Sequence, residues 1–489
     1  MRRSGLHHEL EVNQKLDGNK SSCKEIAFGS VCHFARGGSK SEGLRLFVCV
    51  LSFFRQTPIL NTSSPFHEKV SPRPRIVVVG AGFGGLAFCQ SFPKDRAEIT
   101  LIDRQNHHLF QPLLYQLATA GLSDADIAHP VRAILSQRRD ITVLLDEVQS
   151  IDLPKKLLQL SSTQLPFDYL VLALGGVTNY FGHPEWEEHA PGLKSLQDAN
   201  RIRSSVLLAF EQAENSAPAQ AETGLLNIVV IGGGATGVEM AGSLVELSRH
   251  VLRRDFRRID PTQARIILLE GGSRLLPAMP EKLSEYTRKT LEQMGVEVRL
   301  NATVKSISHH QIETNHGTLE AANIIWAAGV KANPLLAKLG IPADPQGRVE
   351  VLPNLSLPGY PTIFAIGDNA RVPWKDKKLV PGVSPAAMQM GAHAAQEILA
   401  QMESRTRQKP FIYWDKGSMA TIGRTHAVAQ IAQLKLQGFL AWVAWLGVHL
   451  IFLVGFRNKL SVLMNWGFSY LAYRPGARII PNSPAHSRI

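Results

Sequence analysis

Short runs of apolar residues recur along the middle of the chain, and each run ends in glycine or in an acidic residue. The first run is Ile76-Val77-Val78-Val79, which precedes a segment with helical spacing of apolar residues and then Ile99-Thr100-Leu101-Ile102. Consecutive β-branched residues are typical of strands buried on both faces of a parallel sheet. The alternation of such strands with helical segments predicts an α/β fold.

A glycine-rich loop joins the first predicted strand to its helix. The loop reads Gly80-Ala81-Gly82-Phe83-Gly84-Gly85, and the next strand ends at Asp103. Glycine permits the tight turn and lets the backbone approach a pyrophosphate, which binds at the helix N-terminus. An acid at this spacing can accept hydrogen bonds from a ribose. Together these features predict a dinucleotide site formed by the loop and Asp103.

The same arrangement recurs later in the chain. Leu226 to Ile231 predicts a strand, Val238 to Leu247 predicts a helix, and Gly232-Gly233-Gly234-Ala235-Thr236-Gly237 joins them, with the following strand ending at Glu270. Two such fingerprints imply two dinucleotides. Because Glu270 would repel a 2′-phosphate, the second site favours NAD(H), although Arg274 nearby leaves NADP(H) open.

Two further strands flank the second fingerprint and end at Gly175 and Gly329, which predicts that the second nucleotide domain is inserted into the first. A later strand ends in Gly367-Asp368. A Gly-Asp pair alone is often a plain turn. In a chain with two nucleotide fingerprints, it favours contact between Asp368 and the ribityl or pyrophosphate region of a flavin.

The sequence resembles the type II NADH dehydrogenases, which are single-subunit NADH:quinone oxidoreductases of the two-dinucleotide-binding flavoprotein superfamily. The resemblance extends from about Arg75 to about Ile480, and its specific segments are Ile102–Gln116, Gly232–Glu239, Ile325–Val330, Gly423-Arg424 and Gly455–Asn458. It implies that the first loop binds FAD, that the second binds NADH as substrate, and that electrons pass to a membrane quinone without proton pumping.

The resemblance also implies a domain organisation. Residues 73–190 and 330–400 would form a discontinuous FAD-binding domain, residues 191–329 the NADH-binding domain, and residues 401–489 a helical region for membrane association and dimer contact. The protein would be a homodimer on the cytoplasmic, matrix or stromal face of an energy-transducing membrane.

Individual residues take roles from the same resemblance. Glu239 matches the catalytic carboxylate at the contact between nicotinamide and flavin. A glutamate in the first turn of a helix can equally do no more than stabilise the helix, since the dipole favours its charge there. Further predicted cofactor contacts are Arg104, His108, Val148 at the end of the strand from Ile141, Gly329, Gly367, Asp368 and Ala387. For His108, a packing role is at least as well supported.

The predicted quinone site departs from the family pattern. The family carries Ala-Gln-x-Ala-x-Gln, whereas this chain has Ser384-Pro385-Ala386-Ala387-Met388-Gln389, so the first glutamine is replaced by Pro385. The side chain of proline cannot hydrogen-bond a quinone. Quinone binding would then depend on Gln389, backbone groups and the apolar tail, and the type of quinone stays open.

The tail carries most of the net charge of +12. Residues 1–70 contribute +4, residues 71–400 contribute −1 and residues 401–489 contribute +9. A neutral body argues against a nucleic-acid-binding enzyme. The tail also holds 21 residues without Asp, Glu, Lys or Arg, from Leu436 to Phe456. This run is compatible with helices lying on a membrane, a membrane span, or buried core at a dimer contact, and the basic charge suits anionic lipid.

Cysteine usage excludes several kinds of chemistry. Three of the four cysteines, Cys23, Cys32 and Cys49, precede the body, and there is no CxxC pair. This argues against an iron–sulfur cluster, a dithiol centre or a disulfide framework, and no ligand-spaced cluster predicts a metal. Residues 1–72 lack a clear pattern and are interpreted as a disordered or targeting extension. Three functional possibilities remain. They are the quinone reductase, a flavoprotein redox sensor that binds NADH and turns over slowly, and an enzyme of the same superfamily that reduces another acceptor.

Overall fold

The structure is a computed structural model that describes residues 73–216, 224–405, 409–472 and 477–480. The interpretation of residues 1–72 therefore lies outside the described residues. Within them the helices are α1 Phe83–Ser91, α2 Leu114–Ala118, α3 Asp124–Ile127, α4 Val131–Ile134, α5 Trp186–His189, α6 Leu196–Asn215, α7 Ala235–Glu246, α8 Glu281–Met294, α9 Ser384–Met402, α10 Phe439–Phe452 and α11 Phe456–Ala472.

The strands of the described residues are numbered in chain order. They are β1 Arg75–Val79, β2 Glu98–Asp103, β3 His107–Leu109, β4 Ala128–Pro130, β5 Ile141–Leu145, β6 Ser150–Asp152, β7 Leu157–Gln159, β8 Gln164–Pro166, β9 Tyr169–Leu172, β10 Gly176–Thr178, β11 Asn227–Ile231, β12 Arg265–Leu269, β13 Val296–Arg299, β14 Val304–Ser308, β15 Gln311–Thr314, β16 Gly317–Glu320, β17 Asn323–Trp326, β18 Val330–Ala332, β19 Val349–Glu350, β20 Ser356–Leu357, β21 Tyr360–Ala365, β22 Ala370–Arg371, β23 Ser418–Ile422, β24 His426–Ile431 and β25 Leu434–Gly438.

The first glycine loop belongs to a six-stranded sheet with the order β20-β21-β9-β1-β2-β5. All neighbouring pairs are parallel except β20 with β21. The central strand β1 is buried from Ile76 to Val79 because α/β crossovers cover both faces of the sheet. Strand β21 comes from beyond residue 330, so this sheet contains strands from both sides of the segment that forms the second sheet.

The second glycine loop belongs to a parallel sheet with the order β13-β12-β11-β17. Its central strand β11 is flanked by β12, which ends just before Glu270, and by β17, which ends before Gly329. Helices α6 and α7 pack into the same core cluster as β11. The two sheets confirm the α/β fold with two Rossmann-like halves that the sequence predicts.

The C-terminal region is not purely helical, which corrects the expectation from sequence. Strands β23, β24 and β25 form an antiparallel sheet that precedes α10. The uncharged run from Leu436 to Phe456 is divided among the end of β25, the 14 residues of α10 and a break at Leu453–Gly455. Among the described helices, none has both the length and the apolar character needed to cross a bilayer.

The strand that was expected to reach Val148 ends at Leu145. Asp146 follows it and accepts a hydrogen bond from the N–H of Glu147 through its own side chain. Aspartate bonds of this local kind compete with strand pairing and favour turns. Val148 lies beyond this turn and is buried in the core of the first sheet.

Candidate functional site

Close backbone packing requires glycine at both ends of the first glycine loop. Gly80 has φ +107°, and a Cβ placed on it would lie 2.2 Å from the carbonyl oxygen of Ala173. A Cβ on Gly85 would lie 1.8 Å from the carbonyl oxygen of Gly80. By contrast, a Cβ on Gly82 would meet no atom within 4 Å beyond its chain neighbours. The loop is therefore tight against the sheet and open at Gly82.

The second loop repeats this geometry. Gly232 has φ +115°, and its Cβ would lie 2.7 Å from the carbonyl of Ala327. The Cβ of Gly237 would lie 1.8 Å from the carbonyl oxygen of Gly232, and Gly234 again faces open space. In the described structure, no side chain caps α1 or α7, and neither helix has an acidic residue in its first turn. Two uncapped helix N-termini beside open glycines fit the pyrophosphates of two dinucleotides.

The predicted ribose acids lie against these loops. The carboxylate of Asp103 accepts hydrogen bonds from the N–H groups of Ala81 at 2.6 Å and Gln105 at 2.7 Å. The carboxylate of Glu270 accepts from the N–H groups of Gly233 at 2.5 Å and Gly272 at 2.6 Å. Each acid is thus fixed at the end of its strand, beside the loop where the ribose of a bound dinucleotide would lie.

The carboxylate of Asp368 lies close to the backbone at two glycines from other parts of the chain, Gly176 and Gly382. Its carboxylate oxygens are 3.0 Å from a Cβ placed on Gly176 and 2.9 Å from one placed on Gly382. Burial lowers the pKa of Lys194, while the negative charge of Asp368 opposes that shift. Sequence reasoning missed Lys194. Its only signal in the sequence is a lysine that directly follows Pro191-Gly192-Leu193, shortly before α6.

Helix α9 packs closely on α1 near the first loop. A Cβ on Gly84 would lie 3.3 Å from the carbonyl oxygen of Ala387, and one on Gly367 would lie 3.2 Å from the Cβ of Ala387. The structure therefore brings together the loop, Gly367 and Ala387, as the sequence-based assignment requires. Gln389, two residues further along α9, makes hydrogen bonds with the backbone N–H and carbonyl groups of Trp414.

Glu239 lies in α7, one turn beyond its start, and is buried. Burial raises the pKa of its carboxyl to about 8, against the opposing effect of a hydrogen bond from the Thr421 N–H at 3.3 Å. The indole N–H of Trp445 also favours the charged form from nearby, although it makes no hydrogen bond of ordinary geometry. Glu239 lies beyond the first turn of α7, where a helix dipole would favour its charge, and desolvation is the largest cause of its raised pKa.

A second acid of α7 lies two turns further along the helix. The carboxylate of Glu246 accepts a hydrogen bond from the backbone N–H of Arg424 at 2.6 Å and lies 3.4 Å from its guanidinium. Burial raises the pKa of Glu246 to about 7, while Arg424 opposes the shift. The Gly-Arg turn between β23 and β24 thus carries a cation directly to α7.

The remaining predicted residues occupy less specific positions. His108 is buried beneath the first loop, with Nδ1 3.1 Å from the carbonyl oxygen of Ala81, and burial lowers its pKa. This geometry fits the packing interpretation, because the neutral ring supports the loop. Arg104 is exposed at the end of β2. Gly329 lies under the ring of Phe181, an exposed aromatic residue that sequence reasoning missed.

Comparisons with known proteins agree with this geometry. Residues 74–391 match the family model described as pyridine nucleotide-disulphide oxidoreductase, and residues 415–475 match the NDH2 C-terminal domain. The chain is 41% identical over 443 residues to the type II NADH:quinone oxidoreductase Ndh of Mycobacterium tuberculosis, which covers 87% of this chain and 95% of that protein. The chain belongs to the type II NADH:quinone oxidoreductase family. A second member, NdhA of the same organism, is 40% identical over 449 residues and covers 88% of this chain and 94% of that protein.

A solved structure of the type II NADH:quinone oxidoreductase family shares the fold. NDH2 of Plasmodium falciparum in complex with NADH superposes with a TM-score of 0.76 at 21% identity, covering 82% of this chain and 99% of that one. The NDH2 C-terminal match begins just before β23 and covers the small antiparallel sheet and the two helices after it. The resemblance read from the sequence is thereby confirmed.

Proposed function

We propose that this type II NADH:quinone oxidoreductase family member oxidises NADH and reduces a membrane quinone, with FAD at the first glycine loop. The observation that carries the proposal is the pair of equivalent loops, each tight against its sheet and open at the glycine before an uncapped helix. Bound FAD would supply the two-electron chemistry, since a flavin can accept a hydride and release electrons to a quinone.

The residues around the loops bind and orient the two nucleotides. The N-termini of α1 and α7 receive the pyrophosphates, and Asp103 and Glu270 receive the riboses. Glu270 also disfavours a 2′-phosphate, which supports NADH over NADPH. Asp368 lies beside Gly367, where the ribityl region of FAD would lie, and its negative charge raises the pKa of Lys194 against the effect of burial.

Glu239 supplies a proton-holding group in this proposal. Because its pKa is about 8, the carboxyl is protonated at neutral pH. Reduction of a quinone to a quinol consumes two protons along with two electrons, so a neutral buried acid is suited to hold one of them. The protonated carboxyl is neutral, so it adds no charge where the nicotinamide and flavin rings must stack without water.

The domain organisation and the remaining contacts belong to the same proposal. Residues 73–190 and 330–400 would carry FAD, and residues 191–329 would carry NADH. Arg104, Val148 and Gly329 would flank the nucleotides, and His108 would support the first loop from below. The homodimer and the face of the membrane implied by the family stay predictions.

The membrane-associating surface of this proposal is the outer side of α10 and α11. Large apolar side chains are exposed there, with 61% of Phe439, 71% of Leu440, 69% of Ile451 and 67% of Met464 accessible. Apolar rings beside basic residues suit the headgroup region of an anionic membrane. The ammonium group of Lys416, 5.1 Å from the ring centre of Phe452, provides such a charge.

Steady-state oxidation of NADH and NADPH with a water-soluble quinone tests the proposal. The enzyme predicts turnover on the order of 1 to 10³ s⁻¹ with NADH, and a clear preference over NADPH. The redox-sensor alternative predicts tight NADH binding with a single slow turnover. The second result would contradict the proposed function.

A further inference from the structure

A line of side-chain hydrogen bonds joins the C-terminal helix α11 to Thr421, and the backbone of Thr421 contacts Glu239. The indole N–H of Trp466 donates to the side-chain oxygen of Gln116 at 2.8 Å. The side-chain nitrogen of Gln116 donates to the hydroxyl of Tyr115 at 2.9 Å, and that hydroxyl lies 3.0 Å from the hydroxyl of Thr421. Thr421 in turn donates its backbone N–H to Glu239.

The donor inventory fixes the direction of the first two bonds. An indole N–H can only donate, so the oxygen of Gln116 must face Trp466 and its amide hydrogens must face Tyr115. Either hydroxyl can donate in the contact between Tyr115 and Thr421. The side-chain bonds end at the hydroxyl of Thr421, and the backbone of the same residue carries the contact with Glu239.

Three of the four side chains in the line are buried: Tyr115 is 5% exposed, Thr421 3% and Trp466 5%. Gln116 is half-buried. Breaking a bond between buried groups leaves a polar atom without its partner, which costs free energy. The network borders a cleft that is open to solvent and is lined by Glu246 and Arg424 as well as by these residues.

The helix at the far end of the line is itself anchored beside it. Buried Asp126 of α3 accepts hydrogen bonds from the hydroxyl of Ser461 at 2.6 Å and from the side-chain amide of Asn465 at 3.2 Å. These bonds hold α11 so that Trp466 reaches Gln116. The same helix presents Leu460, Leu463 and Met464 on its exposed side.

We propose that Tyr115 and Gln116 are positioning residues for the reaction, because they join the docked helix α11 to Thr421 and so hold the Thr421 N–H on the carboxyl of Glu239. The proposal rests on the proposed role of Glu239. Helix α11 thereby influences the carboxyl of Glu239, the proton-holding group, without contacting it. Attachment of α11 to the protein body thereby becomes a condition for full turnover, in addition to its place at the membrane surface.

Several titratable groups lie in the elements packed around this part of α7. They include Tyr115 of α2, Glu246 of α7, His250 just after α7, Tyr286 of α8, Arg424 of the β23–β24 turn and His449 of α10. Burial lowers the pKa of His449 to about 4, so its ring is neutral at physiological pH. The pKa of Glu239 is raised chiefly by burial and is opposed by the Thr421 N–H, so loss of that bond raises it further.

Tyr115→Phe in the FAD-loaded protein tests the proposal, since it removes the hydroxyl and keeps the ring. We expect turnover with NADH and a soluble quinone to fall about tenfold at an unchanged KM for NADH, a part of what a positioned proton donor contributes. The alkaline limb of the pH profile moves to higher pH. Hydrogen exchange of the Thr421 amide, followed by mass spectrometry, becomes faster independently of activity.

Trp466→Phe provides a second variant at the other end of the line. It removes only the first donor, so its effects have the same direction and smaller size, and Tyr115→Phe with Trp466→Phe is no worse than Tyr115→Phe alone. Tyr286→Phe is the matched control, because Tyr286 of α8 contacts the ring of His426 outside the line. Its turnover, pH profile and exchange match those of the wild type.

The outcomes distinguish failure of the positioning role of Tyr115 and Gln116 from failure of the proposed role of Glu239. If Glu239→Gln slows turnover and Tyr115→Phe changes neither the pH profile nor Thr421 exchange, the positioning role is wrong while the proposed function stands. If Glu239→Gln itself leaves turnover unchanged, the role of Glu239 fails. Additive effects of the Tyr115 and Trp466 substitutions would also contradict a single connected line.

Discussion

The side chain of Gln389 pairs with the backbone of Trp414 through two hydrogen bonds. Its side-chain nitrogen donates to the carbonyl oxygen of Trp414 at 3.0 Å, and its oxygen accepts from the Trp414 N–H at 3.0 Å. The glutamine that the sequence predicts as a quinone ligand therefore also holds the segment before β23. The indole of Trp414 remains 71% exposed, with the ammonium group of Lys416 5.6 Å from its ring centre.

Gln389→Leu should raise the KM for quinone severalfold and leave the KM for NADH unchanged. The reason is that both hydrogen bonds between Gln389 and Trp414 are lost, and each is worth about 1 kcal/mol. The segment around Trp414 is then no longer held against α9 near the proposed flavin site. Steady-state kinetics with each substrate varied in turn measures the two constants. Gln401→Leu is the control, since Gln401 donates to the carbonyl of Pro361 at the other end of α9. Equal effects of the two substitutions would argue against a local role for Gln389.

Gly82→Ala and Gly234→Ala should separate the two nucleotide sites. A Cβ at either position meets no protein atom within 4 Å, so both variants fold, but the methyl group fills the space for a pyrophosphate. Gly82→Ala is expected to lose bound FAD, measured by flavin absorbance per protein. Gly234→Ala is expected to keep FAD and raise the KM for NADH. Gly447→Ala in α10, which also faces open space, is the control. Loss of FAD from Gly234→Ala would contradict the assignment of the loops.

Glu239→Gln should slow turnover with FAD content intact, and it should also change the pH dependence of stability. The pKa of Glu239 is raised from 4.5 to about 8, so the unfolded chain releases this proton at lower pH than the folded protein. The wild type therefore loses stability as pH rises from about 4.5 to 8. At pH 8 we expect the variant to be more stable by ~4 kcal/mol, and at pH 4 the two to be equal. Denaturant unfolding at both pH values measures this difference, and a variant less stable at pH 8 would contradict it.

Leu440→Asp and Met464→Asp should weaken binding to vesicles of anionic phosphatidylglycerol about tenfold or more, because each places a charge on the proposed lipid-facing side. Substitution is preferable to truncation before Leu436, which would remove buried Trp445 from the core. Co-sedimentation with vesicles measures binding. Leu145→Asp, at an exposed apolar position of β5, should bind as the wild type does. Unchanged binding by both test variants would show that this surface is not the membrane contact.

The nucleotide sites were predictable from sequence because their determinants are local. The loop from Gly80 to Gly85 and Asp103 at the end of β2 satisfy rules of backbone geometry that need no distant partner. The environment of Glu239 was not predictable in this way. Its partner Thr421 lies 182 positions further along the chain, and the burial that raises its pKa comes from residues of distant segments packed together.

The sheet from β23 to β25 was missed for a different reason. Strand β23 begins just after Gly417, and the turn from β23 to β24 contains Gly423. Both positions have positive φ, which favours glycine, so the two glycines were turn signals in the sequence. The uncharged run from Leu436 dominated the interpretation of this region and favoured continuous helices. Residues at the start of that run pair with β24 instead. The backbone N–H and C=O groups at the edge of a strand need hydrogen-bond partners, and hydropathy alone does not reveal which segment supplies them.

Anaerobic stoichiometry tests the central claim most directly. The FAD-loaded wild-type protein is mixed with a known amount of NADH and an excess of soluble quinone, and NADH and quinol are quantified by absorbance. Oxidation of NADH with one quinol formed per NADH is the predicted result. Oxidation of NADH without matching quinol, or no oxidation beyond a single turnover, would contradict the assignment of this protein as an NADH:quinone oxidoreductase.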